Sequence, residues 1–132
     1  MDDVALVTSY VEAAQAARSS GSEDDWARVR AFLHDDVVVR RAGDGSGAPW
    51  MVVAETAEAF VDRLSRPAVS GARLRTTTVA AFGSDGRVVV EQLSSFDRPD
   101  DTKREKPVCF VFEVRDGRIA SISLYRNDGE HI

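Results

Sequence analysis

The chain has 132 residues, 43% of them hydrophobic, enough for one domain with a real core and too few for two ordinary ones. Its 22 acids outnumber 17 bases for a formal charge of -5, and no basic stripe gathers to neutralise phosphates, so nucleic acid is not an expected partner. Met1-Asp2-Asp3 begins neither a basic segment nor a long apolar run, which leads to the expectation of a cytoplasmic protein without a membrane partner.

Val4, Val7, Val11, Ala14 and Ala17 recur at three- and four-residue spacing, which predicts an amphipathic first helix from about Asp3 to Arg18 with Tyr10 beside its apolar stripe. Ser19-Ser20-Gly21 ends it. Ser22 and the acids Glu23, Asp24 and Asp25 then form a hydroxyl cap and an acidic first turn, the signature of a second helix. That helix runs to about Leu33, with Trp26, Val29, Phe32 and Leu33 inward and His34 as a cap for its carbonyl end. At Asp35-Asp36 the helical period breaks into the β-branched run Val37-Val38-Val39, so the helix turns directly into a strand.

Gly43 to Pro49 is rich in turn formers and long enough to flank a pocket mouth, with Trp50 at its end. Ala57, Phe60, Val61 and Leu64 define a third helix that Pro67 prevents from continuing. The rest alternates with period two. Strands are predicted over Arg73 to Phe82, Arg87 to Phe96, Pro107 to Arg115 and Arg118 to Arg126, with Gly83-Ser84-Asp85-Gly86 and Asp116-Gly117 as hairpin turns. The charge run from Asp97 to Glu105 reads as a solvated hairpin tip. One cysteine, Cys109, lies inside a strand-like run and is read as structural. With two histidines and acids chiefly in turns and caps, neither a metal site nor a cofactor is expected.

The order helix, helix, strand, helix and four closing strands, with Leu33-His34-Asp35-Asp36-Val37-Val38-Val39 at the first junction and Ile122-Ser123-Leu124-Tyr125-Arg126-Asn127-Asp128 after the Asp-Gly turn, resembles the SnoaL-like branch of the nuclear transport factor 2-like superfamily. The likeness runs from about Val4 to Asn127. It implies an α+β domain, residues 1–132 with a core of about 4–127 and a tail of 128–132, in which a curved antiparallel sheet wraps around N-terminal helices to form a conical pocket. This fold hosts isomerases, cyclases, hydrolases, dehydratases and non-enzymatic binders. Tyr10 is placed like the tyrosine with which ketosteroid isomerases stabilise an enolate oxygen. Where those enzymes carry a general-base aspartate and a second donor, this chain has Arg41 and Val108. Limonene epoxide hydrolases carry an arginine and two aspartates where this chain has Gln92, Ser94 and Asn127, polar groups that orient a ligand and cannot act as carboxylate acid or base. SnoaL-like polyketide cyclases likewise use a pocket acid or base, and Asn127 stands at the final-strand position where one would be sought.

Period two anchored on these matches sends Val37, Val39 and Arg41 to the concave face, with Val88, Val90, Gln92, Ser94 and Phe96, then Val108, Phe110 and Phe112, then Ser123, Tyr125 and Asn127. The expected site is an apolar cavity with a few polar groups. Tyr10 and Arg41 are its candidate catalytic residues. Val39, Trp50, Val90, Gln92, Ser94, Val108, Phe110, Phe112, Ser123, Tyr125 and Asn127 are its candidate ligand contacts. The expected ligand is a small apolar or weakly acidic molecule bearing a carbonyl or carboxylate, bound or rearranged through enol or enolate chemistry; the alternative is a non-catalytic binding or interaction domain. The opposite sheet face is expected to carry Val79, Ala81, Val89, Leu93, Val111, Ile122 and Leu124 and to form a homodimer.

Overall fold

The structure, a computed structural model, describes residues 1–43, 45–66, 73–97 and 103–125, with only the backbone described at 73, 96, 97, 103 and 104. The elements run α1 (Asp3–Ser20), α2 (Glu23–Ala31), β1 (Leu33–Ala42), β2 (Trp50–Ala54), α3 (Ala57–Ser65), β3 (Arg73–Ser84), β4 (Arg87–Asp97), β5 (Lys103–Arg115) and β6 (Arg118–Leu124). Side chains close the helix starts: Ser22, as expected, and also Asp2 and Thr56 each accept a hydrogen bond from the backbone N–H three residues on. Gly21 stops α1 at φ 65°, a left-handed turn that a residue without Cβ adopts freely. No helix among the described residues is long and apolar enough to cross a membrane.

The six strands form one curved mixed sheet in the order β2-β1-β6-β5-β4-β3, an α+β architecture with the helices on one face. Neighbours are antiparallel except β1 and β6, which run parallel, so the last strand returns to the middle of the sheet beside the first. Asp85-Gly86 and Asp116-Gly117 make the two tight turns, with φ of 54° and 80° in the first and 54° and 72° in the second. Positive φ at both central residues suits the right-handed twist of the flanking strands.

Three differences from the expected elements matter. β2 was not foreseen: Trp50 to Ala54 pairs with β1 after a turn-rich loop that hides its short β-branched stretch. α2 stops at Ala31, and Leu33 already belongs to β1, so His34 is a strand residue whose Nε2 donates to the Arg115 carbonyl at 2.5 Å and does not cap the helix. β6 presents the face opposite to the expected one. Glu113 pairs with Ser121 and Val114 with Ile119, which leaves Ala120 unpaired as a bulge and shifts side-chain parity by one. Ile119, Ile122 and Leu124 therefore all point to the core, each at most 2% exposed.

The core lies between the concave face and the helices. Val7, Ala13 and Ala17 of α1, Val29 of α2 and Phe60 of α3 pack on Val37, Val39, Val88, Val90, Phe112, Ile119 and Ile122. Alanines on the inward side of α1 let its backbone approach the sheet closely, and a close helix leaves the larger aromatic side chains to shape whatever space remains.

Candidate functional site

A cavity remains where α1 and α3 meet the far half of the sheet. Tyr10, Val11, Ala14 and Arg18 line it from α1, Phe60 and Leu64 from α3, and Thr76, Gln92, Phe110, Phe112 and Ile122 from the strands. Its volume is about 40 Å³, rising to about 430 Å³ when all non-atom space out to the open mouth is included. The second figure includes open solvent; the first leaves room for only a few waters, so a ligand larger than that needs the walls to move.

Helical geometry explains the α1 contribution. Tyr10, Ala14 and Arg18 are four residues apart, so they stack along one side of the helix, with the small Ala14 leaving space between the two longer groups. Gln15 fixes this segment against the sheet: its Nε2 donates to the Thr76 carbonyl at 2.5 Å and also to the Thr76 hydroxyl. The Tyr10 ring packs edge-on to Phe32 at 6.4 Å and to Phe112 at 5.8 Å, with Phe110 6.0 Å beyond Phe112. Such edge contacts hold an aromatic plane in one orientation.

Polar groups in this wall are few. Burial pushes the Tyr10 phenol up to about 12, against a smaller opposing pull from the Arg18 charge. Arg18 is half-buried, and desolvation holds its guanidinium below the usual arginine value, opposed by Tyr10. Among the described residues neither side chain has a hydrogen-bond or ion-pair partner, and neither is among the polar atoms shut off from solvent without one. Gln92 adds an amide on the sheet side, 6% exposed. No carboxylate or imidazole belongs to the lining.

Of the expected site residues, the structure brings Tyr10, Gln92, Phe110 and Phe112 together in this wall. Val39, Val90, Ser94 and Val108 share the concave side, but they are packed away at 0–3% exposure and do not line the cavity. Trp50, Ser123 and Tyr125 lie on the opposite face of the sheet, because the Ala120 bulge reverses β6 and because Trp50 pairs with Ala42 on the β2 edge. There Arg40 donates to the Ser123 hydroxyl at 2.9 Å and sits 3.9 Å above the Trp50 ring, whose edge meets Tyr125 at 5.1 Å. Asn127 falls outside the described residues.

Arg41 follows the parity of Val39 and pairs with Leu124 and Met51, yet no β1 residue reaches the cavity. Arg41 Nη2 donates to the Met51 sulfur at 3.6 Å, and its Nε is buried without a partner. The cation that sequence reasoning missed is Arg18. It closes the expected first helix and reads there as a last-turn cation; only its four-residue spacing from Tyr10 and Ala14 marks the shared side.

Cys109 pairs with Glu91 on the outer face, where burial, then the Glu91 charge, pushes its thiol up. Among the described residues no three His, Cys, Asp or Glu side chains gather as a metal site.

A curved sheet closing on three helices, with a cavity between α1 and the strands, defines a cone-shaped α+β domain of the nuclear transport factor 2-like class. The SnoaL-like domain family matches residues 7–122, and the chain belongs to it. No curated protein sequence matches the chain. Among solved structures it is similar to a Mycobacterium tuberculosis protein in complex with estradiol-17β-hemisuccinate, at 15% identity, TM-score 0.68, and coverage of 95% of this chain and 96% of that one. A Δ5-3-ketosteroid isomerase from Mycobacterium sp. has 22% identity and TM-score 0.61, over 91% and 94% of the two chains. An M. tuberculosis epoxide hydrolase resembling the limonene type has 21% identity and TM-score 0.59, over 93% and 86%. At these identities the likeness shows a shared fold.

Proposed function

We propose that this protein binds a small, largely apolar molecule carrying a carbonyl or carboxylate oxygen in the cavity between α1 and the sheet. The observation that carries this reading is the Tyr10 hydroxyl, held by edge contacts with Phe32 and Phe112 in the cavity wall and bonded to no described residue. A buried phenol without an internal partner is a donor kept for something else. Gln92 is the second polar group able to orient such a ligand. The complex of the M. tuberculosis neighbour with estradiol-17β-hemisuccinate supports a fold of this shape receiving a small organic molecule.

Binding is favoured over turnover, because a reaction through an enolate needs a group that removes a proton, and the lining offers neither carboxylate nor imidazole. The isomerase or cyclase reading rests on Tyr10: a phenol pushed up to about 12 stays protonated and can donate to a developing enolate oxygen. The protein is further proposed to act as a homodimer through the outer face of the sheet, where Val79, Phe82 and Leu93 are 59%, 56% and 37% exposed.

Titration with acetophenone, followed through backbone amide shifts, tests the reading. Shifts should centre on Thr76 and Gln92, and Tyr10→Phe should weaken binding about two- to tenfold, the worth of one neutral hydrogen bond. Shifts confined to residues away from the cavity, or none at millimolar ligand, would sink the proposal.

A further inference from the structure

Arg18 lines the cavity and has no described acid beside it, whereas several other arginines of the fold are paired. Arg87 pairs with Glu113 at 3.1 Å, Arg30 with Asp35 at 3.5 Å and Arg66 with Asp62 at 2.5 Å. Arg40 is held by Ser123 and the Trp50 ring. Arg18 lies half-buried in an otherwise mostly apolar wall, with Val11, Phe60, Leu64, Phe110 and Phe112 around it and no described acid within ion-pair distance. The carbonyl end of α1 offsets part of its charge, since Arg18 belongs to the last turn. A solvated surface cation would need nothing further. A half-buried one in a mostly apolar cavity wall keeps only part of its hydration, and an anion that reaches it gains more than it would in open water.

From this juxtaposition of Arg18, Tyr10 and an apolar wall we infer that the cavity selects anionic ligands, with the ligand carboxylate paired to the Arg18 guanidinium and its apolar body against Phe110 and Phe112. The inference rests on the cavity being the binding site, and it makes Arg18 a specificity-determining residue. Guanidinium geometry matches a carboxylate through two parallel N–H donors. Tyr10 lies on the same side of α1, two turns earlier, and can donate to one of the same oxygens or to a second oxygen of the ligand. Gln15 bonded to Thr76 fixes the stretch of helix from which Arg18 projects, so the charge is positioned before the ligand arrives.

A pair of probes of one shape separates charge from fit: benzoate and benzamide, each titrated into the parent, Arg18→Met and the nearly isosteric Arg18→Gln. The parent should prefer benzoate by about 10- to 100-fold, the worth of a charge-assisted hydrogen bond in a sheltered site. Both variants should lose that preference by weakening benzoate while leaving benzamide unchanged. The ligand-free variants should melt no lower than the parent, because they remove a cation that has no partner. Equal affinity of the parent for acid and amide, unchanged in either variant, overturns the inference and leaves the cavity reading intact. Lower melting of both ligand-free variants with the benzoate preference retained also overturns it and makes Arg18 structural. Failure of both probes to bind the parent takes down the cavity reading as well.

Discussion

The two faces of the sheet treat their polar groups differently. On the outer face, Arg40 is bonded to Ser123 and stacked on Trp50, Trp50 meets Tyr125, and Arg87 is paired with Glu113. These groups satisfy one another. On the concave side, Tyr10, Arg18 and Gln92 stand in a mostly apolar wall, and the first two have no described partner. Unpaired polar groups in sheltered places are unfavourable, and it is on this contrast that the proposed ligand site rests. The same contrast extends to packing, because the concave side is closed by helices whereas the outer side leaves Phe82 and Leu93 in solvent.

The largest effect should come from the concave side. Phe60 is 1% exposed, belongs to the core and forms part of the cavity wall. Phe60→Ala should lower stability by about 3–5 kcal/mol, as removal of a fully packed aromatic ring does. Urea unfolding at neutral pH measures this. A loss below about 1 kcal/mol would mean that α3 is not seated on the sheet as described.

Next in size is a dependence on alkaline pH. Burial raises the Tyr10 phenol from 10.0 to about 12, so the folded protein holds this proton more tightly than the unfolded chain does. The stability it contributes is complete below pH 10 and is lost as pH climbs towards 12, amounting to about 2–3 kcal/mol over that interval. Unfolding free energies measured across the interval should fall more steeply for the parent than for Tyr10→Phe, which has no such proton to lose. In Tyr125→Phe the remaining phenol should titrate near 12 by ultraviolet absorbance. Titration near 10 in that variant would show that Tyr10 is open to water, and the contrast between the faces would weaken.

How far the sequence disclosed these faces depends on where alternation is regular. Along β4, Val88, Val90, Gln92 and Ser94 alternate without interruption, and all four are buried on the concave side. β6 is different. Ile119, Ile122 and Leu124 are spaced three and then two apart, so a strict period of two cannot keep them on one face, and the odd interval is the trace of the bulge at Ala120. The parity anchored on Asn127 puts Ser123 and Tyr125 on the concave face, whereas the pairing with β5 puts Ile122 and Leu124 there. Ala81, expected on the outer face, pairs with Val90 and packs on the core; the register shift near Val79 alters the parity of β3. Arg18 escaped notice for another reason. Whether a cation near a helix end meets water or a cavity is decided by the strands that pack over it, and those lie more than fifty residues away in Thr76, Gln92 and Phe110.

The smallest effect on stability should come from the outer face, and it separates folding from association. Leu93 is 37% exposed and shares this face with Glu91 and, through the pairing of β4 with β3, with Thr77. Leu93→Lys exchanges a half-solvated apolar side chain for a long one that keeps its stem on the sheet and its charge in water, so the monomer should change by less than about 1 kcal/mol. In a homodimer packed through this face, the same change places a charge in an apolar contact and opposite its own copy across the two-fold axis. Sedimentation at micromolar concentration should then give a dimer for the parent and a monomer for Leu93→Lys, with benzoate affinity retained in both. A parent that sediments as a monomer would leave the outer face as a solvated surface. A variant dimer as tight as the parent's would place the contact elsewhere.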